Sequence, residues 1–486
     1  FGAKPFYKAA RRLGFAKTQT LFDAELAAYL LKPDAKTYDV AALARSYVSG
    51  ATIEGPEDLA ALAVLPRLCS ELYEQLCAQE MDTLFNEIEL PLCEVLADME
   101  YEGFAVDRAG VEEFGRMLDE GIAEVTEEIY RLAGRHFNIN STRELGEVLF
   151  EELKLPAGKK TKTGYSTSAE VLESIAALHE IVPAVLEYRK LSKLASTYVT
   201  GLLKVVGEDG RVHSTFNQTE TRTGRISSSE PNVQNIPVRT KLGSEMRRFF
   251  VAREGYVLVD ADYSQIELRI LAHIAEDQNM LRAFNEKADI HTETAAQVFG
   301  LSADMVPPEL RSRAKAINFG IVYGIGAFSL SKQINVPVYE AKEYIQSYLK
   351  TYSGVAAYQH DIVEAARRDG YVKTMFGRRR EVLDIYSKNK NVRAFAERVA
   401  LNTPVQGTAA DIIKLAMIRV HRRIREEGLH AKLVLQVHDE LIVEAREDEA
   451  ERAAAIVSEE MEHAAQLRVK LVADVHTGKN WYEAKQ

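Results

Sequence analysis

The segment RSRAKAINFGIVYG, residues 311–324, places Arg311, Lys315, Phe319 and Tyr323 at intervals of four residues. Four residues are slightly more than one helical turn, so these side chains should project from one drifting face, roughly 18 Å long. That face would offer two cations, then an aromatic edge, then a phenol. A nucleoside triphosphate has the same polarity, with a charged tail, a sugar and a flat base. An amphipathic helix with a solvated basic end would show the same spacing, so the segment alone leaves both interpretations open.

Length and composition predict a soluble protein with more than one domain. The chain has 486 residues, of which 46% are hydrophobic and 27% charged, which is too long for a single core. No apolar stretch is long enough to cross a bilayer, so no membrane partner is expected. The chain begins at Phe1 without a signal-like segment, which predicts a fragment or a processed form. Cys69, Cys77 and Cys93 fit no zinc spacing, and we expect them to be small buried hydrophobes of a reducing compartment.

The net charge of −11 is distributed unevenly. Residues 51–130 hold 21 acidic residues against three arginines, a net charge of −18, which leaves +7 for the rest. Basic runs stand out at Lys159, Lys160 and Lys162 and at residues 378–380. A basic run is most often a solvated face, but phosphate binding needs only a local positive surface. The acidic total therefore does not exclude a nucleic-acid partner.

Hydrophobic periodicity predicts that helical regions and strand regions alternate along the chain. We expect helices over 86–204, a strand in 211–220, helices again over 276–370, and a long helical stretch after Asn391 that is broken near Pro404 and Gly407. Continuous apolar runs predict buried strands. These runs are YVLVDADYS (256–264), AKLVLQV (431–437), ELIVEA (440–445) and RVKLVADV (468–475).

Two carboxylates lie where such strands end. Asp262 ends the first apolar run, and Asp439 lies at the turn between two later runs, beside Glu440. Each acid alone would ordinarily be a turn carboxylate. Brought together, they would repel unless cations lay between them, and oxygen ligands suit Mg²⁺. Two such ions can activate one oxygen and stabilise a leaving oxygen, and the Tyr263 carbonyl could add a ligand. His438 has no partner at zinc-ligand spacing.

Three segments of this sequence resemble the signature motifs of family A DNA polymerases. They are DADYSQIELR (260–269), RSRAKAINFGIVYG (311–324) and QVHDE (436–440). The likeness runs from about residue 86 to the end and is to the large, Klenow-type fragment of bacterial members. It includes TRTGRISSSEPNVQNIP (221–237), DIHTETA (289–295) and AERVALNTPVQGTAADIIK (396–414).

The resemblance implies a multidomain α/β (α+β) fold. It would be a right-hand polymerase with thumb, palm and fingers, plus a degenerate RNase H-like 3′–5′ exonuclease domain. The expected boundaries are 1–85 for a partial exonuclease-like domain, 86–204 for the thumb, 205–274 and 389–486 for the two parts of the palm, and 275–388 for the fingers.

The resemblance also implies template-directed DNA synthesis, in which deoxynucleotides are added to a primer 3′-hydroxyl and pyrophosphate is released. Two Mg²⁺ ions, for which Mn²⁺ could substitute, would be held by Asp262, Asp439 and the backbone carbonyl of Tyr263. Lys315 would act as a general acid, and Glu440 would belong to the catalytic group. The partners would be a primer–template duplex and deoxynucleoside triphosphates, bound by a monomer at the bacterial nucleoid for replication and repair.

By the same resemblance, two further sets of residues would contact the substrates. Glu267 would lie near the sugar and exclude a 2′-hydroxyl. The nucleotide-binding set is Arg311, Lys315, Phe319, Tyr323, His291, Glu267 and Gln265. The DNA-binding set is Arg225, Gln406, Arg398, Asn402, Asn232, Gln234, His438, Lys159, Lys160 and Lys162.

The first 85 residues depart from the family pattern. An exonuclease needs its own paired carboxylates for metal ions, but this segment has no Tyr-x-x-x-Asp pattern. Asp23-Ala24-Glu25 imitates an Asp-x-Glu motif, yet it resembles a later, structural part of such a domain. Phe6 lies where an acid is expected. We therefore predict a scaffold without proofreading activity, and no 5′-nuclease domain in the chain.

Two alternatives remain open from the sequence. A single-subunit RNA polymerase shares the paired aspartates and a similar fingers helix, but Glu267 and Phe319 disfavour it because such an enzyme must admit a 2′-hydroxyl. A non-catalytic DNA-binding relative would have lost the acids, which are present here. Primer extension with deoxy- and ribonucleotides distinguishes the three.

Overall fold

The N-terminal part of the chain consists of helices joined by loops in the computed structural model. The described residues are 1–15, 19–49, 57–157, 164–237 and 241–485. The apolar faces of the first helices form one cluster that continues beyond residue 85 as far as Ala97, so this unit shares its core with the helix that follows. Leu26 and Leu30 are buried in the cluster. The helices are Ala3–Arg12, Ala24–Leu31, Val40–Tyr47 and Glu57–Ala78.

Asp23 is used for helix capping. Its buried carboxylate accepts hydrogen bonds from the backbone N–H groups of Gly2 at 3.1 Å, Ala3 at 2.6 Å and Glu25 at 3.0 Å. An N-terminal carboxylate satisfies backbone donors that the helix leaves free. The Asp-x-Glu resemblance thus has a local structural explanation at Asp23. No strand occurs among the described residues of 1–85, so the RNase H-like character of this segment stays a prediction.

The predicted helical region after residue 85 is confirmed. Its longest helix, Arg108–Ala133, begins at the capping carboxylate of Asp107 and ends at Gly134, whose φ of 72° suits a residue without a Cβ. It packs against Ile181–Lys193. The other helical elements here are Asp82–Leu84, Phe85–Glu89, Leu90–Glu102, Thr142–Gly146, Glu147–Glu152, Ala169–Ile175, Leu194–Thr200 and Gly201–Leu203.

A four-stranded antiparallel sheet forms the centre of the molecule. Its spatial order is Ala473–Gly478, Tyr256–Tyr263, Glu440–Arg446 and Ala431–Val437. The inner strands are almost fully buried, as their continuous apolar runs predict. The predicted strand 468–475 is displaced and begins only at Ala473. Ala450–Glu462 packs against the sheet.

The helix after residue 389 corrects one prediction. It runs unbroken from Lys390 to Glu426, through Pro404. Proline removes one backbone donor and usually kinks a helix. Here Thr403, Pro404 and Val405 are all buried, and the Thr403 hydroxyl donates to the Val399 carbonyl at 2.7 Å. Tertiary packing thus holds the helix straight enough to continue, which the local sequence signal did not anticipate.

The region between strand Tyr256–Tyr263 and helix Lys390–Glu426 is mainly helical, as predicted for residues 276–370. In the part of the chain that the structure describes, three two-stranded pairs lie outside the main sheet: Phe104–Ala105 with Arg211–Val212, Thr215–Asn217 with Ser227–Ser229, and Tyr371–Lys373 with Arg379–Glu381. The helices here are Lys241–Glu245, Ile266–Ala275, Gln278–Asn285, Ile290–Phe299, Pro308–Val322, Ala327–Ile334, Val338–Thr351 and Ser353–Asp369.

The cysteines only partly match the prediction. Cys93 is buried, but Cys69 is half-buried and Cys77 is exposed on a helix surface. Helical periodicity places Cys77 one position after buried Leu76, on the outer face. Within the described ranges, no helix is long and apolar enough to cross a membrane.

Candidate active site

Strand pairing brings the two predicted carboxylates to the same end of the sheet. Asp262 lies opposite Glu440 in the antiparallel register, and the Tyr263 N–H donates to the Asp439 carbonyl at 3.1 Å. Asp439 and His438 form the turn between two strands. His438 has a φ of 54°, a left-handed value that is uncommon for a residue with a Cβ and is concentrated at functional sites.

A lysine near the end of the chain neutralises this acidic group. The Lys485 ammonium lies 2.8 Å from Asp262 Oδ2, 2.8 Å from Glu440 Oε2 and 3.9 Å from Asp260 Oδ1. The carboxylate oxygens would otherwise repel one another. Three acids therefore share one cation.

Glu440 is fixed from two sides. Its second oxygen, Oε1, accepts a hydrogen bond from the indole N–H of Trp481 at 2.6 Å, and the Arg247 guanidinium stacks over the same indole at 4.1 Å. The side chain is only 6% exposed. With both oxygens already bound, Glu440 is placed to orient its neighbours.

Two acids of this site, Asp439 and Asp260, have raised pKa values. Burial, with Asp262 adding repulsion, raises the pKa of Asp439 to about 7. Burial, with the Glu440 charge adding to it, raises the pKa of Asp260. Asp260 Oδ2 is buried and has no hydrogen-bond partner among the described residues. Burial and mutual repulsion destabilise the charged form of these carboxylates, so a cation bound among them would be stabilised.

The donor set fits a divalent metal. Asp262 and Asp439 offer carboxylate oxygens, and the backbone of Tyr263 lies between them, which is the oxygen-only chemistry that Mg²⁺ prefers. The described residues contain no group of three or more His, Cys, Asp or Glu that could hold a metal ion by itself. Any ion here would therefore need additional oxygens from water or a substrate.

The four residues predicted on one helical face lie along helix Pro308–Val322 and at its end. Arg311, Lys315 and Phe319 lie within Pro308–Val322, and Tyr323 is the residue that ends the helix, its N–H donating to the Phe319 carbonyl at 3.1 Å. Lys315 is exposed and has no ion-pair partner among the residues that the structure describes. Its ammonium is thus available for a ligand.

Arg311 already has a partner that the sequence did not reveal. It binds the Asp289 carboxylate at 2.7 Å, and the same carboxylate caps helix Ile290–Phe299 through the N–H groups of His291 and Thr292. The aspartate thereby fixes where the guanidinium points. An incoming anion would meet an arginine that is held in place and only partly neutralised.

His291 is buried beside this helix. Its Nδ1 is paired with the Asn318 amide at 3.0 Å, and its ring lies 5.9 Å from that of Phe319. Burial, with Lys315 and Arg311 adding repulsion, lowers the pKa of His291 to about 4. The imidazole is therefore neutral at pH 7.

Glu267 joins three elements of the site. One carboxylate oxygen accepts from Arg225 Nη2 at 2.7 Å, and the other accepts from the Tyr323 hydroxyl at 2.7 Å. The Gln406 side chain also acts on this hydroxyl and opposes the rise in the pKa of Tyr323. Burial, with the Glu267 charge adding to it, raises the pKa of Tyr323. The end of helix Pro308–Val322 is thus linked through Glu267 to the loop that holds Arg225.

The remaining predicted residues lie around this centre. Gln234 donates to the Gln436 carbonyl at 3.1 Å, and Asn232 accepts from the Ser228 hydroxyl at 3.0 Å. Arg398 lines a neighbouring cleft that also contacts Lys315 and Phe319 of helix Pro308–Val322. Buried side-chain oxygens without a partner among the described residues occur on Asn402 and Gln265. Lys159, Lys160 and Lys162 lie outside the described residues.

Most of the predicted site residues line one cleft with a volume of about 570 Å³. A second, adjoining cleft shares Gln234, His438 and Asp439 with it and adds Asp262, Glu440 and Lys485. The predicted residues that line the first cleft are Arg225, Gln234, Gln265, Glu267, His291, Arg311, Lys315, Phe319, Tyr323, His438 and Asp439.

Comparison with known proteins gives consistent results. A family model described as DNA polymerase family A matches residues 108–483. DNA polymerase I of Bacillus caldotenax is 48% identical, over 100% of this chain and 58% of that protein. Thermostable DNA polymerase I of Thermus thermophilus is also 48% identical, over 96% of this chain and 56% of that protein. The chain therefore spans less than three-fifths of the length of these curated relatives.

A solved structure matches over nearly the whole chain. It is the POL domain of Pol1 from M. smegmatis, in complex with DNA primer-template and dNTP. The TM-score is 0.90 and the identity 42%, with 96% of this chain and 82% of that one covered.

Proposed function

Since this chain belongs to DNA polymerase family A, we propose that it catalyses template-directed DNA synthesis. It would add deoxynucleotides to a primer 3′-hydroxyl and release pyrophosphate, on a primer–template duplex at the bacterial nucleoid. The observation that carries the proposal is the cleft in which Lys315, Phe319 and Tyr323 of the fingers helix face Asp439 of the palm. Cations on one wall and carboxylates on the other suit a nucleotide whose phosphates bridge them.

The metal ions would be two Mg²⁺, held by Asp262, Asp439 and the Tyr263 carbonyl. When bound, they would activate the primer hydroxyl and stabilise the leaving group. The protein's own part is to hold the carboxylates close together: the Lys485 ammonium balances the charges of Asp262 and Glu440, and it would give up Asp262 Oδ2 to an incoming ion.

The fingers helix would bind the triphosphate. Lys315, which is exposed in the cleft, would neutralise the pyrophosphate and give it a proton as it leaves. Arg311 would add charge from its place against Asp289, and neutral His291 would donate a hydrogen bond without adding charge.

Glu267 would select the sugar of the incoming nucleotide and would connect to the residues that contact the primer terminus. Its buried carboxylate lies beside Phe319 and Tyr323 in the cleft and would leave no room for a 2′-hydroxyl. Arg225 and Gln406, both linked to it directly or through Tyr323, would probe the minor-groove edge of the primer terminus.

The segment 1–85 would contribute no proofreading. Its Asp23 is occupied by three backbone donors, and Phe6 is an exposed phenylalanine where an acid is expected. We propose the domain boundaries 1–85, 86–204, 205–274, 275–388 and 389–486 for this unit, thumb, palm, fingers and palm.

Primer extension tests the function. An end-labelled primer on a longer template should lengthen with deoxynucleotides and Mg²⁺, and not with ribonucleotides. Equal use of both would favour an RNA polymerase. Binding of the duplex without extension would identify a non-catalytic relative.

A further inference from the structure

The N-terminal helical unit reaches the loop that holds Arg225. This loop, residues 218–226, connects the paired strands Thr215–Asn217 and Ser227–Ser229. The Tyr29 hydroxyl, on helix Ala24–Leu31, donates to the Thr221 carbonyl at 2.7 Å, although the two residues are 192 positions apart. Tyr29 is 1% exposed, so its hydroxyl is largely shielded from water, although Thr221 itself is half-buried.

The bond begins a continuous path to the fingers helix. The Thr221 hydroxyl donates to the Arg225 carbonyl at 2.6 Å, the Arg225 guanidinium donates to Glu267, and Glu267 accepts from the Tyr323 hydroxyl, both at 2.7 Å. Each link fixes one atom of the next residue. The N-terminal unit and the nucleotide-binding helix are therefore joined through the loop.

Other contacts also hold this loop, one from the N-terminal unit and two from residues outside it. Thr219 donates to Glu25 at 3.4 Å, and Gln218 donates to the Glu89 carbonyl at 3.0 Å. A Cβ on Gly224 would lie 2.5 Å from Nε of Arg378, so the loop backbone rests directly on that buried guanidinium. The N-terminal unit therefore shares the restraint of this loop with Glu89 and Arg378.

We propose that the N-terminal helical unit positions Arg225 for the primer terminus, with Tyr29 as the positioning residue. The inference rests on the proposed function, since Arg225 acts on a primer only if the chain is a polymerase. The N-terminal helical unit would then have a role in DNA synthesis that requires no nuclease activity. Tyr29 itself touches no substrate and acts through Thr221.

The chain offers a matched control for Tyr29→Phe. Tyr38 packs edge-to-face on Tyr29, with ring centroids 6.2 Å apart, and its hydroxyl also donates to a backbone carbonyl, that of Lys32 at 2.9 Å. This second bond stays within the N-terminal unit. Tyr38→Phe therefore removes an equivalent bond without touching the loop.

The first measurement is amide hydrogen exchange of the full chain. Tyr29→Phe should speed exchange in 219–226 by about 5–10-fold, the effect of one lost hydrogen bond, whereas Tyr38→Phe should leave that loop unchanged. Equal exchange in all three proteins would overturn the proposal. This measurement needs no activity, so it stands even if the chain does not extend primers.

The second measurement is single-turnover extension of matched and 3′-mismatched primers. Tyr29→Phe should slow the matched primer by about 3–10-fold and the mismatched primer less, so that discrimination falls. In an Arg225→Ala background the same change should add less than about twofold, because the residue that it positions is gone. Thr221→Ala, which cuts the next link, should behave like Tyr29→Phe. A full additional loss in the Arg225→Ala background would mean that Tyr29 only stabilises the fold.

Discussion

Replacing Lys485 with methionine should strengthen the binding of divalent metal. The ammonium lies 2.8 Å from Asp262 Oδ2, the carboxylate that we propose as a metal ligand. A metal ion must either displace the ammonium from this oxygen or share the oxygen with it. Removing the ammonium removes both the competition and the repulsion, so affinity should rise.

The size of the effect follows from the exposure of the pair. Lys485 is 31% exposed and Asp262 39% exposed, so solvent screens their attraction. A pair at this separation, at an effective dielectric constant between about 40 and 80, is worth roughly 1.5–3 kcal/mol before side-chain ordering is subtracted. Exposed pairs retain at most about 1 kcal/mol. Taking about 0.5–1 kcal/mol, the dissociation constant should fall by about 2–5-fold.

Titration with Mn²⁺, followed by electron paramagnetic resonance on the DNA-free protein, measures this directly. Lys479→Met is the control: it lies near the same end of the chain but binds Glu447 and the Tyr256 carbonyl, away from the site. Lys485→Arg should keep the wild-type affinity. Weaker binding in Lys485→Met would refute the reasoning, because it would mean that the ammonium organises the carboxylates for the metal. An equal change in Lys479→Met would mean that only net charge matters.

Four further outcomes are expected. Asp262→Ala or Asp439→Ala should reduce extension to below about a hundredth of wild type, about 2.7 kcal/mol of barrier, while gel-shift assays show nearly unchanged DNA binding; faster extension would exclude the metal role. Glu267→Ala should raise ribonucleotide incorporation, and Phe319→Tyr should raise dideoxynucleotide acceptance, both read by competition on a gel; unchanged selectivity in both would mean that the helix lies differently against the sugar. His291, with its pKa lowered to about 4, should stay neutral by ¹⁵N NMR from about pH 8 down to about pH 5.5, and its neutral burial should stabilise the fold above its ordinary pKa of 6.5, an effect that is lost as pH falls toward 4; a protonation midpoint near 6.5 would contradict the burial. A mismatched, end-labelled primer incubated with Mg²⁺ and no nucleotides should keep its length; shortening would reveal a nuclease site.

Much of the site could be predicted because its signals are local. The four-residue spacing after Arg311 defines one helical face whatever the helix packs against, and Asp262 ends a strand whose apolar run is readable in the sequence. Asp260 was also within reach, since alternate residues of a strand share a face. Its raised pKa depends on burial beside Glu440, however, and burial is a property of the fold.

The features that the sequence did not predict depend on contacts between segments that are distant in the chain. Lys485 belongs to no motif, and nothing near it in the sequence points to the acids that it binds. The pairing of Arg311 with Asp289 joins two helices. The helix through Pro404 continues because its surroundings are buried, whereas the local rule for proline predicts a break. In each case tertiary packing decides an outcome that local propensity leaves open or predicts otherwise.

Glu267 shows why the proposed selection of sugar and the proposed check of the primer cannot be separated in this protein. Both of its oxygens are occupied, one by Arg225 and one by Tyr323, and its side chain is 9% exposed. A nucleotide that displaces the Tyr323 hydroxyl would leave one oxygen of a nearly buried carboxylate without its partner, which costs free energy unless a correct substrate or Gln406 replaces the bond. Because Arg225 holds the other oxygen, a misplaced primer terminus would disturb the same carboxylate. One acid would thus register errors in the sugar and at the primer end, and the N-terminal unit would set the position from which it does so.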